Sequence, residues 1–341
     1  MQLPWKWECR YEQIELEMAQ DVIKIGTRGS ALALKQAGML SDELARLGTQ
    51  CEIVIIKTSG DARQGTTDSA VHDKREWVLE LESALLDRKI DLAIHSGKDL
   101  PVDVAAGTEV SSILKREVVE DVIVCNPSLA KINPRTLSEL PAGTRIGCAS
   151  LRRQAYLKAR WPQLLPFELR GNVTTRLERI RESKGNGEGG RYSAALLAGA
   201  GVRRLGCIEE ISFIIPVADI LPAVAQGILA VQFRNKKDDC EVEGLKLLHR
   251  NLSVLIDKDT EAAFLGERSF ISTLGADCRS AVGVYLKCDG EEISIQGCVL
   301  SVDGKEHLSG FRNGKKEDSV AIGRELGQDF IARGAEALLR I

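Results

Sequence analysis

The chain has 341 residues, 44% hydrophobic and 28% charged, an ordinary globular composition long enough for two or three domains. A net charge of −3, a pI near 6.0 and an aromatic content of 4% exclude a general nucleic-acid binder, which would be basic and carry stacking rings. Nine scattered cysteines without a CxxC pair, and four histidines far apart, exclude a disulfide framework and a zinc site and point to a reducing cytoplasm.

Residues 1–20 hold no apolar h-region and no cleavage site, so they read as an N-terminal extension rather than a secretory signal. Residues 22–48 predict strand, loop and helix, with Leu32, Leu34, Ala37, Leu40 and Leu44 forming a helical stripe. The apolar run 51–61 predicts a parallel strand covered on both faces. Residues 62–75 are polar and predict a loop, and 77–96 a helix followed by a second buried strand. Further strands are expected at 121–126 and 144–149. Strands alternating with helices indicate a doubly wound α/β architecture.

The glycine-rich stretch 183–191 lacks a GxxxxGK[ST] pattern and reads as a surface insertion. Residues 221–234 predict a proline-initiated turn, a Gln226-Gly227 step and a strand, suited to a hinge or crossover. After about residue 250 a helix is followed by short alternating strands with Asp-Gly turns, the texture of a separate α+β domain. The last helix is expected over Val320–Leu339. No run of the chain is long and apolar enough to span a membrane.

Between Arg145 and Arg181 nine Lys/Arg face two Glu, although the whole chain is acidic. The arginines at 28, 152, 153, 170 and 176 all fall at expected strand–helix junctions. A helix start presents free N–H groups and a partial positive charge, so arginines and hydroxyls there make an anion site. Ser30 and Ser150 either help hold an anion or simply cap their helices. Lys98 and Asp99 end a strand, where open α/β sheets place ligands. They read either as an anion-binding cation beside a carboxylate that steadies a cation or moves a proton, or as a solvated turn before Pro101. Cys278 sits on a loop beside Arg279, either a reactive thiol or an inert one. His95 ends a buried strand and reads as structural.

The segments IGTRGSALALKQA, KTSGD, ELESALLDRKIDLAIHSGKDLP, GCASLRRQAYLKARWPQL, LRGNVTTRLERI, ALLAGAGVRRLG, LPAVAQG and ERSFISTLGADCRSAVG occur in order from about residue 22 onward. Together they resemble the hydroxymethylbilane synthase (porphobilinogen deaminase) family. That resemblance implies two α/β halves like those of periplasmic binding proteins, 21–118 with 220–245 and 119–219, with a cleft between them. A small C-terminal α+β domain, 250–341, follows. It implies a transferase that joins four porphobilinogen molecules head to tail with loss of ammonia, then releases hydroxymethylbilane by hydrolysis. The chain grows on a dipyrromethane cofactor in thioether linkage to Cys278. Asp99 takes the catalytic role. Arg28, Ser30, Lys74, Lys98, Ser150, Arg152, Arg153, Arg170, Arg176, Arg204 and Gln226 fall on binding positions for cofactor and substrate. A cytoplasmic monomer is implied, with porphobilinogen as its small-molecule substrate and no nucleic acid, membrane or metal.

The departures lie in three places. The family's GGKGLF segment is His72-Asp73-Lys74-Arg75-Glu76-Trp77, its hydroxyl-rich loop is Gly147-Cys148-Ala149-Ser150, and its GGCQVP loop is GADCRSAV. These leave one alternative, a degenerate paralogue or anion-binding protein of the same fold without turnover.

Overall fold

The computed structural model describes residues 22–56, 74–183, 192–235, 243–277 and 279–339. One sheet contains β1 (Ile23–Thr27), β2 (Cys51–Ile55), β3 (Leu92–Ser96), β4 (Thr108–Ile113) and β10 (Leu229–Arg234), in the order β2-β1-β3-β10-β4. A second contains β5 (Asp121–Cys125), β6 (Arg145–Gly147), β7 (Leu165–Phe167), β8 (Ala194–Ala198) and β9 (Phe213–Ile215), in the order β7-β6-β8-β5-β9. The two orders are the same pattern. In each, four strands run the same way, and the fourth position is filled by an antiparallel strand arriving from the other sheet. The chain therefore crosses between the halves twice, after β4 and again before β10. The sheets are mixed rather than purely parallel, because each crossover strand enters from the opposite end.

Helices cover the sheets through apolar stripes. Helix α1 (Ala31–Arg46) buries Ala37, Leu40 and Leu44 against Ile23, Ile25, Leu92 and Ile94. Helix α2 (Lys74–Leu86) lays Leu81, Ala84 and Leu85 on Ile90 and Ala93, on the opposite face. In the second half, α3 (Leu151–Arg160) packs Ala155 and Leu157 on Ile146 and Leu196, and α4 (Val173–Glu182) packs Leu177 and Ile180 on Val122 and Leu197. The short α5 (Gly199–Arg204) continues directly from β8.

The burial expected for residues 51–61 on both faces is not found. β2 is the outermost strand, Ile53 and Ile55 are exposed, and residues from 57 onward lie outside the described residues.

Helix α6 (Glu243–Leu255) adds Leu245, Leu248 and Leu252 to the first half. The third unit follows as α7 (Lys258–Leu274), the antiparallel strands β11 (Val282–Asp289), β12 (Glu292–Leu300) and β13 (His307–Lys315), and α8 (Ser319–Ala332). Its core contains Phe264, Phe270, Ile295, Leu326 and Phe330. The final helix is not continuous to Leu339. It ends at Ala332, the chain turns at Gly334 with φ +88°, and a short helix Ala335–Leu339 follows. The β12–β13 turn seats on α3, where Lys158 donates to the Val302 carbonyl at 3.0 Å. Gly304 is required there: its φ is +75°, and a Cβ would lie 2.7 Å from the Ala155 carbonyl oxygen.

Glu267 ties the third unit to both crossovers. It is fully buried on α7, and Arg116 of the first crossover forks onto its two oxygens at 2.7 and 3.2 Å. The same carboxylate accepts the Ala225 N–H of the second crossover at 2.7 Å and the Leu286 N–H of β11 at 2.9 Å. Arg116 also donates to the Gln226 carbonyl at 2.8 Å. Removing one partner of such a pair strands the other charge in the interior. Glu267→Ala is expected to cost about 3–5 kcal/mol in urea unfolding. Arg312→Ala, which removes an exposed pair with Asp329, is expected to cost less than about 1 kcal/mol.

Candidate functional site

A cleft, partly open to solvent, lies between the two halves. Its polar lining includes Gln36 of α1, Lys98, Arg153 of α3, Arg176 of α4, Arg204 of α5 and Gln226 of the second crossover. Each arrives from a helix or a turn at a sheet edge, so the lining is set by the backbone framework rather than by long loops. No carboxylate is among the described residues that line it.

Behind the arginines sits Asp121, the first residue of β5, only 1% exposed. Arg153 donates to both of its oxygens at 2.6 and 3.0 Å, Arg152 to one at 2.8 Å and Gln226 to the other at 2.8 Å. Burial alone would raise the Asp121 pKa. The two guanidiniums and the amide override it and hold the carboxyl well below the usual carboxylate range. Nothing in the local sequence around Asp121 marks it. The available signal is an acidic residue heading the apolar strand DVIVC, which a parallel-sheet reading would leave unpaired.

The expected arginine pair is divided by this arrangement. Arg152 is held behind the cleft, its two terminal nitrogens bonded to Asp121 and to the Leu221 carbonyl, and does not line the cavity. Arg153 also reaches the Leu196 carbonyl at 3.2 Å, and it does line the cavity. Ser150 caps α3 by accepting the Arg153 N–H at 3.5 Å, and Ser30 caps α1 by accepting the Ala33 N–H at 3.3 Å.

Arg176, in the first turn of α4, donates from Nε to the Gly171 carbonyl at 2.8 Å. Burial and the neighbouring Arg153 lower its pKa to about 10, against the opposing pull of Asp99. It stays charged at neutral pH, and the coupling sets Asp99 within electrostatic reach of it. Arg204 donates to the Gly227 carbonyl at 2.7 Å. Burial lowers its pKa to about 10, and its Nε is buried without an acceptor among the described residues. The Gln226 side-chain oxygen is likewise buried without a donor.

Lys98 and Asp99 belong to a single 3₁₀ turn, Gly97–Asp99, that follows β3. The Gly97 N–H donates to the Ile228 carbonyl at 2.9 Å, which pins this turn to the second crossover. Both side chains are half-buried. His95, two residues before the turn, is buried, and desolvation lowers its pKa to about 4 against the opposing effects of Gln232 and Asp99. It is neutral at pH 7, in keeping with a structural role. Arg28 lies with its guanidinium carbon 3.9 Å from the centroid of the Trp77 ring.

Of the expected residues, the described lining contains Lys98, Arg153, Arg176, Arg204 and Gln226, and not Arg28, Ser30, Asp99, Ser150, Arg152 or Arg170. Arg170 is exposed and pairs with Glu168 at 2.5 Å, outside the lining. Cys278 and the Lys74 side chain lie outside the described residues, as do residues 1–20. Asp277 and Arg279, which flank Cys278, are exposed and paired with each other at 3.2 Å.

A group bearing several carboxylates fits this cleft. Four cations line it, and the buried Arg204 Nε still has a donor to give.

Residues 23–242 match the family model described as porphobilinogen deaminase, dipyromethane cofactor binding domain, and residues 262–332 match the porphobilinogen deaminase C-terminal domain. A porphobilinogen deaminase from Syntrophobacter fumaroxidans is 36% identical over 324 residues, covering 94% of this chain and 98% of that protein. One from Acidithiobacillus ferrooxidans is 37% identical over 319 residues, covering 93% and 97%. Among solved structures, an ABC-transporter periplasmic substrate-binding protein from Coxiella burnetii aligns over 68% of this chain and 91% of its own, at 14% identity and a TM-score of 0.36. Another ABC transporter protein, from Parabacteroides distasonis, aligns over 94% and 96%, at 10% identity and a TM-score of 0.37.

The buried histidine gives a pH dependence of defined sign. Its pKa falls from 6.5 when unfolded to about 4 when folded, so the unfolded chain takes up a proton that the folded chain refuses. Stability is full above pH 6.5 and is expected to decline as pH falls towards 4. Asp121, whose folded pKa is depressed, adds its own loss only below its ordinary value of 3.8. Thermal melts between pH 7.5 and 4 should show this decline in the native protein and a flatter profile in His95→Gln.

Proposed function

This chain belongs to the porphobilinogen deaminase family, and we propose that Asp99 is the catalytic carboxylate of its cleft. It is a transferase, a hydroxymethylbilane synthase, and its cofactor is dipyrromethane. Bound through the Cys278 sulfur, that group supplies the α-position on which the chain is built.

Lys98, Arg153, Arg176 and Arg204 hold acetate and propionate groups of the cofactor and of porphobilinogen. Arginine suits this work because its planar fork meets a carboxylate bidentately and its charge persists throughout. Arg28 takes a further carboxylate at the mouth of α1. Arg152 keeps Arg153 and Asp121 in place. Lys74 and Arg170 belong to the same binding set in this reading, with Ser30 and Ser150 ordering the helix starts.

The ammonium form of porphobilinogen loses ammonia when its aminomethyl C–N bond breaks, which leaves a cationic azafulvene. Asp99 stabilises that charge in a site where low dielectric strengthens the interaction. When the new carbon–carbon bond forms, Asp99 accepts the released α-proton. One carboxylate serves every cycle as the growing chain moves past it. The observation that carries this reading is the position of Asp99, next to Lys98 of the lining and coupled electrostatically to Arg176, beside a cleft whose charged lining residues are all cations.

The units 21–118 with 220–245, 119–219 and 250–341 are our proposed division, supported by strand membership of the three sheets. We also propose a cytoplasmic monomer without nucleic-acid or membrane partners. The acidic pI supports the lack of a nucleic-acid partner, and the six described cysteines, all free, suit a reducing compartment. Among the described residues no helix is long and apolar enough to cross a membrane.

Asp99→Asn preserves size and removes the charge. It is expected to fold like the native protein while turnover of porphobilinogen drops by orders of magnitude. Near-normal turnover would overturn the role given to Asp99.

A further inference from the structure

Four helices of this chain are closed at their starts by the side chain just before them. Ser30, Ser150, Asn172 and Asp257 each accept an N–H of the helix they precede. Ser96 holds the same place before the Gly97–Asp99 turn and makes no such bond. Its hydroxyl meets α1 instead, where Gln36 Nε2 donates to it at 2.8 Å. The Gln36 amide oxygen lies 3.2 Å from the same hydroxyl, within reach of its proton. Gln36 is 4% exposed, and Gln36 and Ser96 both line the cleft.

The other apolar contacts of α1 face the sheet, through Ala37, Leu40 and Leu44. Gln36 stands one helical turn after Leu32, and those two residues share the side that meets the cleft. A buried amide that loses its partner keeps its full desolvation cost, which favours the bonded arrangement.

The turn has two further anchors. The Gly97 N–H donates to the Ile228 carbonyl, and Leu100 is buried in the core that holds Phe264 and Phe270 of α7. Those anchors fix the turn to the second crossover and to the third unit, and neither involves α1. The Gln36–Ser96 bond supplies the link to α1, at the residue that begins the turn, two positions before Lys98 and three before Asp99. Chemistry at a positioned group is sensitive to such links, because a misplacement of about 1 Å can cost about 100-fold in rate.

We propose that Gln36 is a positioning residue for the turn bearing Lys98 and Asp99, acting through the Ser96 hydroxyl to set where Asp99 stands against a ring bound in the cleft. This rests on the reading of Asp99 as the catalytic carboxylate. Leucine in place of Gln36 keeps the size and removes the amide. Alanine in place of Ser96 removes the hydroxyl, and threonine keeps it.

The test is steady-state kinetics with porphobilinogen on the cofactor-loaded full chain. The variants are Gln36→Leu, Ser96→Ala, Ser96→Thr, the double variant Gln36→Leu with Ser96→Ala, and Asp99→Asn with and without Gln36→Leu. Gln36→Leu and Ser96→Ala should each lower kcat about 10- to 100-fold while KM changes less than about 3-fold. The double variant should lose no more than the worse single variant, and Ser96→Thr should keep most of the native kcat. In Asp99→Asn, adding Gln36→Leu should lower the residual turnover no further.

An unchanged kcat in Gln36→Leu and Ser96→Ala, beside a disabled Asp99→Asn, would overturn the inference and leave the role of Asp99 standing. A raised KM with kcat unchanged in Gln36→Leu would make Gln36 a ligand contact and overturn the inference equally, as would additive losses in either double variant. Near-normal turnover in Asp99→Asn would overturn the catalytic role and the inference with it. Should Gln36→Leu fail to fold, the two Ser96 variants decide. A kcat lost in Ser96→Ala and kept in Ser96→Thr supports the inference, and equal kcat in the two overturns it.

Discussion

A single buried carboxylate with too many cations around it organises the binding half of this protein. Asp121 carries one negative charge and accepts hydrogen bonds from two guanidiniums and an amide. The local balance is positive. That surplus cannot be dispersed into solvent, because Arg152 and Arg153 are 3% and 5% exposed. Arg153 is the member that reaches the cleft, so the excess charge is offered there. Placing the same arginines on the surface would have let water and salt screen them. The cleft is thereby left with a surplus of positive charge, an environment suited to anions.

The same cluster settles how the chain crosses between the halves. Asp121 begins β5, directly after the first crossover, while Gln226 and the Leu221 carbonyl belong to the second. Both crossovers are thus held at the back of the cleft. Gly227 lets them approach each other: its φ is +87°, and a Cβ would lie 2.4 Å from the Glu117 carbonyl oxygen. Ala225, two residues earlier, adopts a φ of +52° without being glycine. The expected hinge is therefore densely bonded and locally strained rather than slack. Glu267 extends the arrangement to the third unit, and α7 runs from that anchor to Leu274, just before the loop that carries Cys278. The segment leading to Cys278 is thereby anchored to both crossovers.

Much of this was legible in the sequence, for physical reasons that differ by element. The helix starts could be read because Ser30, Ser150 and the arginines beside them serve a local purpose, capping free N–H groups, whatever the tertiary context. The turn bearing Lys98 and Asp99 could be read because it ends a buried strand of strongly apolar pattern. Residues 51–56 were misjudged because an apolar run reports hydrophobicity and not position within the sheet; β2 lies at the edge. Asp121 escaped notice because its partners are at 152, 153 and 226, and no local pattern encodes a buried acid whose cations come from other elements. The separate fates of Arg152 and Arg153 are equally non-local. Adjacent residues on a helix point about 100° apart, and only the packed fold determines which one meets the cleft.

We propose that this chain builds on a primer of its own at Cys278, in front of an arginine-lined cleft served by Asp99. The most direct test is the intact mass of the purified native chain, with peptide mapping of the segment containing Cys278. A mass increment equal to one dipyrromethane, carried by the Cys278 peptide, is expected. A bare Cys278 in folded protein, still unmodified after incubation with porphobilinogen, would contradict it.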